Sequence, residues 1–439
     1  MMKRILSIFA IVALAGSLAS AKDIDLKKYG AKADGKTKVT DKLQKAIDEV
    51  SAAGGGRVIL SGGTFLITPF EIKSGVELFI DADAVLLASP DIKDYPERED
   101  PRHYLSEAMP RFRNASIIYA DEAENIAITG RGTIDCNGLA HVREKDNPNW
   151  TGMQYERIHP RRESLPRVVF FAGCRNVTVS GITMTNQPAG WSFWVHDCDF
   201  VKFDGVNILA DVHYPNNDGI HINSSRDVAV SNCFIETGDD SIVIRANNRS
   251  LRENKVCERI VITNCSLRSW SAAIRLGWTN DGLMRNITVS NIVIRDSSKG
   301  ISCTLPSLPS KNHDTDSNDY GREATRVENV TFSNIQMYEI YGNPILFLPY
   351  KDEDVLFGGF KDIIFDNIQC HKAIAYPYFS AREDAPAENI VFNNCSFEKV
   401  PESAMPEDVK RHGFIRKEKI GNEVNLQGIV FNNTRFTVL

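Results

Sequence analysis

The chain has 439 residues, with 51 Lys+Arg against 57 Asp+Glu, 42% hydrophobic residues and 9% aromatics. That composition excludes a disordered or collagen-like chain and leaves one large or two to three ordinary domains. A net charge of −6 argues against the sequence-independent phosphate binding of a nucleic-acid protein.

At the N-terminus, Lys3 and Arg4 precede an almost wholly apolar run from Ile5 to Ala15, and Ala19-Ser20-Ala21 has the form of a cleavage site. Residues 1–21 are therefore expected to be a signal peptide, cleaved after Ala21. The remaining residues 22–439, which lose Lys3 and Arg4 from the 51 cations, carry −8. The apolar run is too short to span a membrane, and no later run of about 18 apolar residues exists. A periplasmic or secreted monomer is the expectation, and no Cys lies at the cleavage point to take a lipid.

Residues 22–75 read as an N-terminal capping region. Thr40 is expected to cap a short helix with Leu43, Ala46, Ile47 and Val50 on one face. Gly54-Gly55-Gly56 stops it before a strand at Arg57-Val58-Ile59-Leu60. Such a helix would cover an open end of a stacked structure.

From residue 124 one phrase recurs about ten times: polar, Asn/Asp-like, apolar, any, apolar, polar, Asn/Gly. It reads Glu124-Asn125-Ile126-Ala127-Ile128-Thr129-Gly130, then Arg175-Asn176-Val177-Thr178-Val179-Ser180-Gly181. Further copies begin their apolar pair at Val201, Val228, Ile260, Ile287, Val330, Ile363, Ile390 and Ile429. The period-2 alternation makes each phrase a strand with one buried face. One strand cannot bury that face alone, whereas stacking coils of about 24 to 30 residues does. The fold class predicted is all-β: a right-handed parallel β-helix, one domain over residues 22–439. A β-propeller fits less well without a Trp-Asp signature, and a leucine-rich repeat without recurring Leu-rich helices. The closing Asn or Gly of each phrase marks a sharp turn. Residues 139–166, rich in Arg, His, Asn and Pro without alternation, read as a long loop insertion beside the solenoid.

The nine cysteines follow the repeat. Cys174, Cys198 and Cys257 lie three residues before the apolar pair, with Ser225 in that place on the intervening coil; Cys233, Cys265 and Cys395 lie five after its start. Buried thiols are the favoured reading, with disulfides between some stacked pairs as the alternative.

Four consecutive coils align through a second strand. Asp218-Gly219-Ile220-His221-Ile222 falls under Asp240-Ser241-Ile242-Val243-Ile244, then Ala272-Ala273-Ile274-Arg275-Leu276, then Lys299-Gly300-Ile301-Ser302-Cys303. The four Ile residues share an inward column, and Asp218, Asp239, Asp240, His221, Arg245, Arg275 and Lys299 form an outward patch. Carboxylates this close repel, which raises one pKa and leaves another ionised. Glycosidic hydrolysis requires such an acid and base pair. Strand termination, or Ca²⁺ binding through oxygen ligands, are the alternative uses of the same residues.

The phrases Asn216-Asn217-Asp218-Gly219-Ile220 and Gly238-Asp239-Asp240-Ser241-Ile242 resemble the Asn-x-Asp-Gly and Gly-Asp-Asp motifs of glycoside hydrolase family 28, the polygalacturonase family. Tyr29-Gly30-Ala31-Lys32-Ala33-Asp34-Gly35, Ile118-Tyr119-Ala120 and Gly130-Arg131-Gly132-Thr133-Ile134-Asp135 look like its N-terminal coils. The resemblance implies hydrolysis of an α-linked, uronic-acid-containing polysaccharide or oligosaccharide of the pectin type, with inversion and without a metal or other cofactor. Carried over by position, Asp239 is the general acid, Asp218 and Asp240 hold and activate the water, and Asn216 supports them.

Two family phrases are missing. Gly-His-Gly would fall on Ser271-Ala272-Ala273 and Arg-Ile-Lys on Ser302-Cys303-Thr304, so an activity other than standard endo-cleavage of polygalacturonan is expected. His221 is placed to orient Asp240 or to replace the lost histidine. Arg275, Lys299 and Arg245 are the cations available to pair with a substrate carboxylate, Arg by a bidentate fork. Arg275 and Lys299 are equally placed to neutralise the Asp pair. Tyr214 and Trp278 are the preferred sugar-stacking platforms. A β-eliminating polysaccharide lyase and a non-catalytic glycan-binding β-helix are the competing readings.

Overall fold

The computed structural model describes residues 21–98, 115–146, 154–160, 163–165, 167–188, 190–248, 251, 253–306, 323–351, 355–385, 387–404 and 428–439. The expected signal segment lies outside these residues, apart from Ala21. The described residues form a parallel β-helix built from a 23-stranded and a 10-stranded sheet. All ten starts of the repeated phrase stack in one column: Ile126, Val177, Val201, Val228, Ile260, Ile287, Val330, Ile363, Ile390 and Ile429 are successive partners. Each is buried except Ile429, on the final coil.

The turn chemistry is richer than the phrase alone indicates. Its closing residue is left-handed as expected, at Gly130, Gly181, Asn232, Asn264, Asn291, Asn334 and Asn367. Its second residue is left-handed too, at Asn125, Asn176, Asp227, Asn286, Asn329, Asp362 and Asn389, and even at Phe200 and Arg259. For those last two the backbone costs about 1 kcal/mol or more, which the fixed register of the stack offsets. The Asn side chains bond up the stack: Asn176 Nδ2 donates to Asn125 Oδ1 at 3.0 Å, and Asn367 to Asn334 at 2.9 Å.

Helix α1 spans Thr40–Ala52 and buries Leu43, Ala46, Ile47 and Val50. Thr40 is not its cap. Val39 occupies that position without a side-chain bond, because the Thr40 hydroxyl is taken by the Thr68 N–H at 2.7 Å. The region 22–75 also does more than cap, since Lys22–Asp25 pairs with Gly56–Leu60 and so already belongs to the large sheet. Gly56 permits this at φ +142, where a Cβ would lie 2.1 Å from the Lys22 carbonyl oxygen. In the insertion 139–166, Val142–Glu144 and Tyr155–Arg157 pair as an antiparallel hairpin.

All nine cysteines are free and buried. Cys198 Sγ accepts the Cys174 N–H at 3.3 Å and Ser225 Oγ the Cys198 N–H at 3.0 Å, so one column of small polarizable groups caps backbone donors.

The two sheets differ in how they face outward. Strands of the large sheet alternate, as at Arg226–Ser231, where only Val228 and Val230 are buried. Strands of the ten-stranded sheet are buried on both faces: Arg167–Ala172, Ile220–Asn223, Ala272–Leu276 and Ile345–Pro349 have no exposed residue. The acidic patch lies on this covered outer face.

Candidate active site

The aligned coils are real neighbours. Ile220, Ile242, Ile274 and Ile301 pair in register and are fully buried, so Asp218, Asp240, Ala272 and Lys299 fall at equivalent positions of successive coils, and contacts with the outward His221 and Arg275 place the two acids on the outer face. Two glycines let the coils close. A Cβ on Gly219 would lie 2.2 Å from the Ser241 carbonyl oxygen, and one on Gly238 would lie 2.4 Å from that of Tyr214. Buried Asn217 ties the two acidic turns together, accepting from the Gly238 N–H at 2.7 Å while donating to the Asp211 carbonyl at 2.7 Å.

Asp218, Asp239 and Asp240 each contribute a carboxylate oxygen to a group within 4.8 Å of one another. Asp218 and Asp240 are buried and Asp239 is partly open. Asp239 Oδ1 accepts the Asp240 N–H at 3.0 Å, and its Oδ2 accepts from Asn216 Nδ2 at 3.1 Å. Its carbonyl is fixed by the Thr237 and Ser269 hydroxyls at 2.7 and 2.6 Å.

The environments divide the protons. Burial, followed by repulsion from Asp218 and Asp240, pushes the Asp239 pKa well above the usual carboxylate range. Burial and then the Asp240 charge do the same to Asp218. Burial acts on Asp240 as well, yet Arg275, a Ser271 hydrogen bond and Lys299 outweigh it and hold its pKa below the usual value. The same cluster thus favours the charge on Asp240 over its two neighbours.

His221 pairs with Asp218, not Asp240: its Nε2 lies 2.8 Å from Asp218 Oδ2. His221 sits on the strand Ile220–Asn223, just after the turn that carries Asp218, whereas its neighbour on Asp240's coil is Val243. Trp191 stacks flat on the imidazole, with centroids 3.7 Å apart and planes 13° apart. Burial and the nearby Arg245 charge lower the His221 pKa well below its ordinary value.

The expected substrate cations are mostly occupied. Arg275 Nη1 donates to Asp240 Oδ2 at 3.1 Å, Nη2 to the Thr304 carbonyl at 3.1 Å and Nε to that of Gly277 at 3.3 Å, with the guanidinium 4.3 Å above the Trp278 ring. Arg245 forms a two-pronged pair with Asp281 at 2.8 and 2.7 Å. Asp281 also accepts the Trp278 N–H at 2.9 Å. Lys299 differs: among the described residues its Nζ has no carboxylate within ion-pair distance, and it faces Asp240 and Asp239. Tyr214 is buried, edge-on to Tyr155 at 4.5 Å and packed on Val142, so it offers no stacking face. Trp278 stays partly open, with Arg275 on one face.

Arg157 was not singled out by sequence, although it lies in the insertion 139–166. Its Nη2 donates to Asn216 Oδ1 at 2.6 Å, which orients the Asn216 amide so that Nδ2 faces Asp239. Asp281 was missed as well, and nothing in its local sequence signals a role.

The sequence profile of glycosyl hydrolases family 28 matches residues 106–413, a span that includes all three aspartates. The chain belongs to glycosyl hydrolase family 28. Among relatives of this family 28 chain is a probable polygalacturonase of Vitis vinifera, 28% identical over 291 residues. That match covers 64% of this chain and 56% of the relative. An exo-poly-alpha-D-galacturonosidase of Dickeya chrysanthemi is 26% identical over 322 residues, covering 63% and 51%. The chain thus spans just over half the length of these two relatives. The fold is shared with the exopolygalacturonase of Thermotoga maritima at TM-score 0.67 and 22% identity, over 87% of this chain and 88% of that one. The polygalacturonase of Erwinia carotovora ssp. carotovora gives 0.64 at 21%, covering 86% and 92%.

Proposed function

We propose that this family 28 chain hydrolyses α-linked uronides of the pectin type by acid–base catalysis. The observation that carries the reading is the cluster itself: three carboxylates with oxygens within 4.8 Å of one another, of which Asp239 is partly open while Asp240 is buried against the Arg275 guanidinium at 3.1 Å. Asp239 donates a proton to the glycosidic oxygen as the C1–O bond breaks. A water held between Asp218 and Asp240 adds to C1 and passes a proton to Asp240.

Oxygens within 4.8 Å can share one bent, bridging water. The proposed course is inversion, with that water adding directly to C1. Arg275 serves Asp240 in this scheme, and Lys299 takes the substrate carboxylate. The Lys3 to Ala21 segment supports export to the periplasm or beyond, and every residue invoked comes from a single chain.

The three carboxylates could also gather a cation, which is the lyase reading. Incubation with pectic fragments, including rhamnogalacturonan pieces, is the test. New reducing ends without an unsaturated product are expected. An unsaturated product indicates the lyase, and binding without turnover indicates a glycan-binding module.

A further inference from the structure

Trp191 opens the strand Trp191–His196, which pairs with Ile220–Asn223 on the coil of Asp218. The N–H of the next residue, Ser192, donates to the Asp218 carbonyl at 2.8 Å, so Trp191 is tied to the backbone of one of the acids. Its ring lies flat on His221, whose Nε2 meets Asp218 Oδ2. His221 is buried while Trp191 stays partly open, so the imidazole is the covered layer and the indole the outer one.

Packing fixes the plane of the indole. In register, Tyr119, Phe170, Trp194 and His221 form one column of rings, and Trp191 leans on the last two. Trp194 meets it edge-to-face, with centroids 5.1 Å apart and planes at 77°, and is itself buried against Phe170 and Ala172. His221 Nδ1 is buried without a hydrogen-bond partner among the described residues, so the imidazole is positioned through its Nε2 bond and its stacked face. Ligand binding then costs little further loss of rotamer freedom in the indole. The other rings around the acids are placed differently. Tyr214, Trp194 and Trp270 are buried, and Trp278 lies past the far end of Ala272–Leu276. Trp191 begins its strand at the same edge of the sheet as Asp218 and Asp240.

We propose that Trp191 is the sugar platform of this site and stacks on the apolar face of a uronide ring bound against Asp218. A pyranuronide whose C4 hydroxyl is axial leaves C3–H, C4–H and C5–H on the opposite face, a patch that an aromatic plane covers. Lys299 holds the equivalent position three coils beyond Asp218, so the indole and the ammonium flank the acids from opposite sides. The indole reads ring shape, and the ammonium reads charge. The inference rests on the uronide-hydrolase reading above and adds the residue that recognises the sugar ring.

Equilibrium binding tests it. Full-length protein with Asp239→Asn is titrated with a galacturonate trimer and with its methyl ester, and Trp191→Leu or Trp191→Phe is then added. Trp191→Leu should weaken both ligands by about tenfold and by the same factor, because stacking does not use the carboxylate. Trp191→Phe keeps a ring on His221 and should lose no more than about threefold. Saturating ligand should change the tryptophan emission of the parent protein, and Trp191→Phe should remove most of that change while the ligand still binds. Three results would overturn the platform and leave the hydrolase reading intact: unchanged affinity in Trp191→Leu, a loss confined to the acidic trimer, or a full emission change in Trp191→Phe, the mark of a ring that only braces His221. Failure of every uronide fragment to bind the parent would remove the substrate reading, and the platform with it.

Discussion

Asp240 Oδ2 receives Arg275 Nη1 at 3.1 Å while its Oδ1 receives the Ala272 N–H at 2.9 Å, so both oxygens of this carboxylate are held from the next coil. Arg275 therefore reads as the partner of the base. Arg275→Ala should raise the pKa of Asp240 and move the acid limb of the kcat/KM profile upward by about one unit or more. Because the folded-state pKa of Asp240 is depressed, its stabilising contribution is present above the unfolded value and lost as pH falls through the folded one. The variant should also lose about 3 to 5 kcal/mol of stability at neutral pH, as expected for breaking a buried pair. Equal loss of activity on acidic and esterified substrates fits this role, whereas loss confined to acidic substrates would return Arg275 to substrate binding.

Lys299 is the residue proposed to meet the substrate charge instead. Lys299→Met should raise KM for an acidic uronide about tenfold or more, with a much smaller rise for the methyl-esterified or reduced substrate. Steady-state kinetics on the matched pair decides it, and an equal rise on both would remove Lys299 from carboxylate recognition.

Asp239 and Arg157 should be linked through Asn216. Asp239→Asn is expected to cost roughly 10² to 10⁴ in rate, with much of that recovered on an aryl uronide whose leaving group needs no proton. Arg157→Met removes the charge that fixes the Asn216 donor, so Asp239 should hold its proton more tightly. The alkaline limb of kcat/KM should then move up in pH as kcat falls, and KM should change little. A raised KM with an unmoved alkaline limb would mark Arg157 as a substrate contact.

Asp218 should be a site where function costs stability. Its folded-state pKa is raised, so its favourable contribution is complete below the unfolded value near 4 and is lost as pH rises through the folded one. Each pH unit of that climb costs up to about 1.4 kcal/mol. Asp218→Asn keeps an acceptor for His221 Nε2 and removes the titration. Its melting temperature relative to wild type should therefore increase between pH 4 and pH 8, and a constant difference would refute the assignment.

The sequence by itself determined the β-helix, because alternation at Val177/Val179 and its copies has one solution, stacking, and the ten column positions were readable as starts of one phrase. It also determined the acid cluster, since Asp218 and Asp239-Asp240 sit at equivalent points of adjacent coils and Ile220 and Ile242 fix their register. The tertiary structure decided what each polar group touches. Arg275 and Arg245 look alike as outward cations, yet Gly277 and Asp281, which occupy some of their donors, come from a turn whose path the repeat does not specify. His221 was readable as a helper, but its partner depended on a side-chain direction within one strand. Arg157 reaches Asn216 across 59 residues from an irregular insertion. Periodicity encodes backbone register through repeated burial, whereas contacts between loops and side chains have no period, and only the folded geometry assigns them.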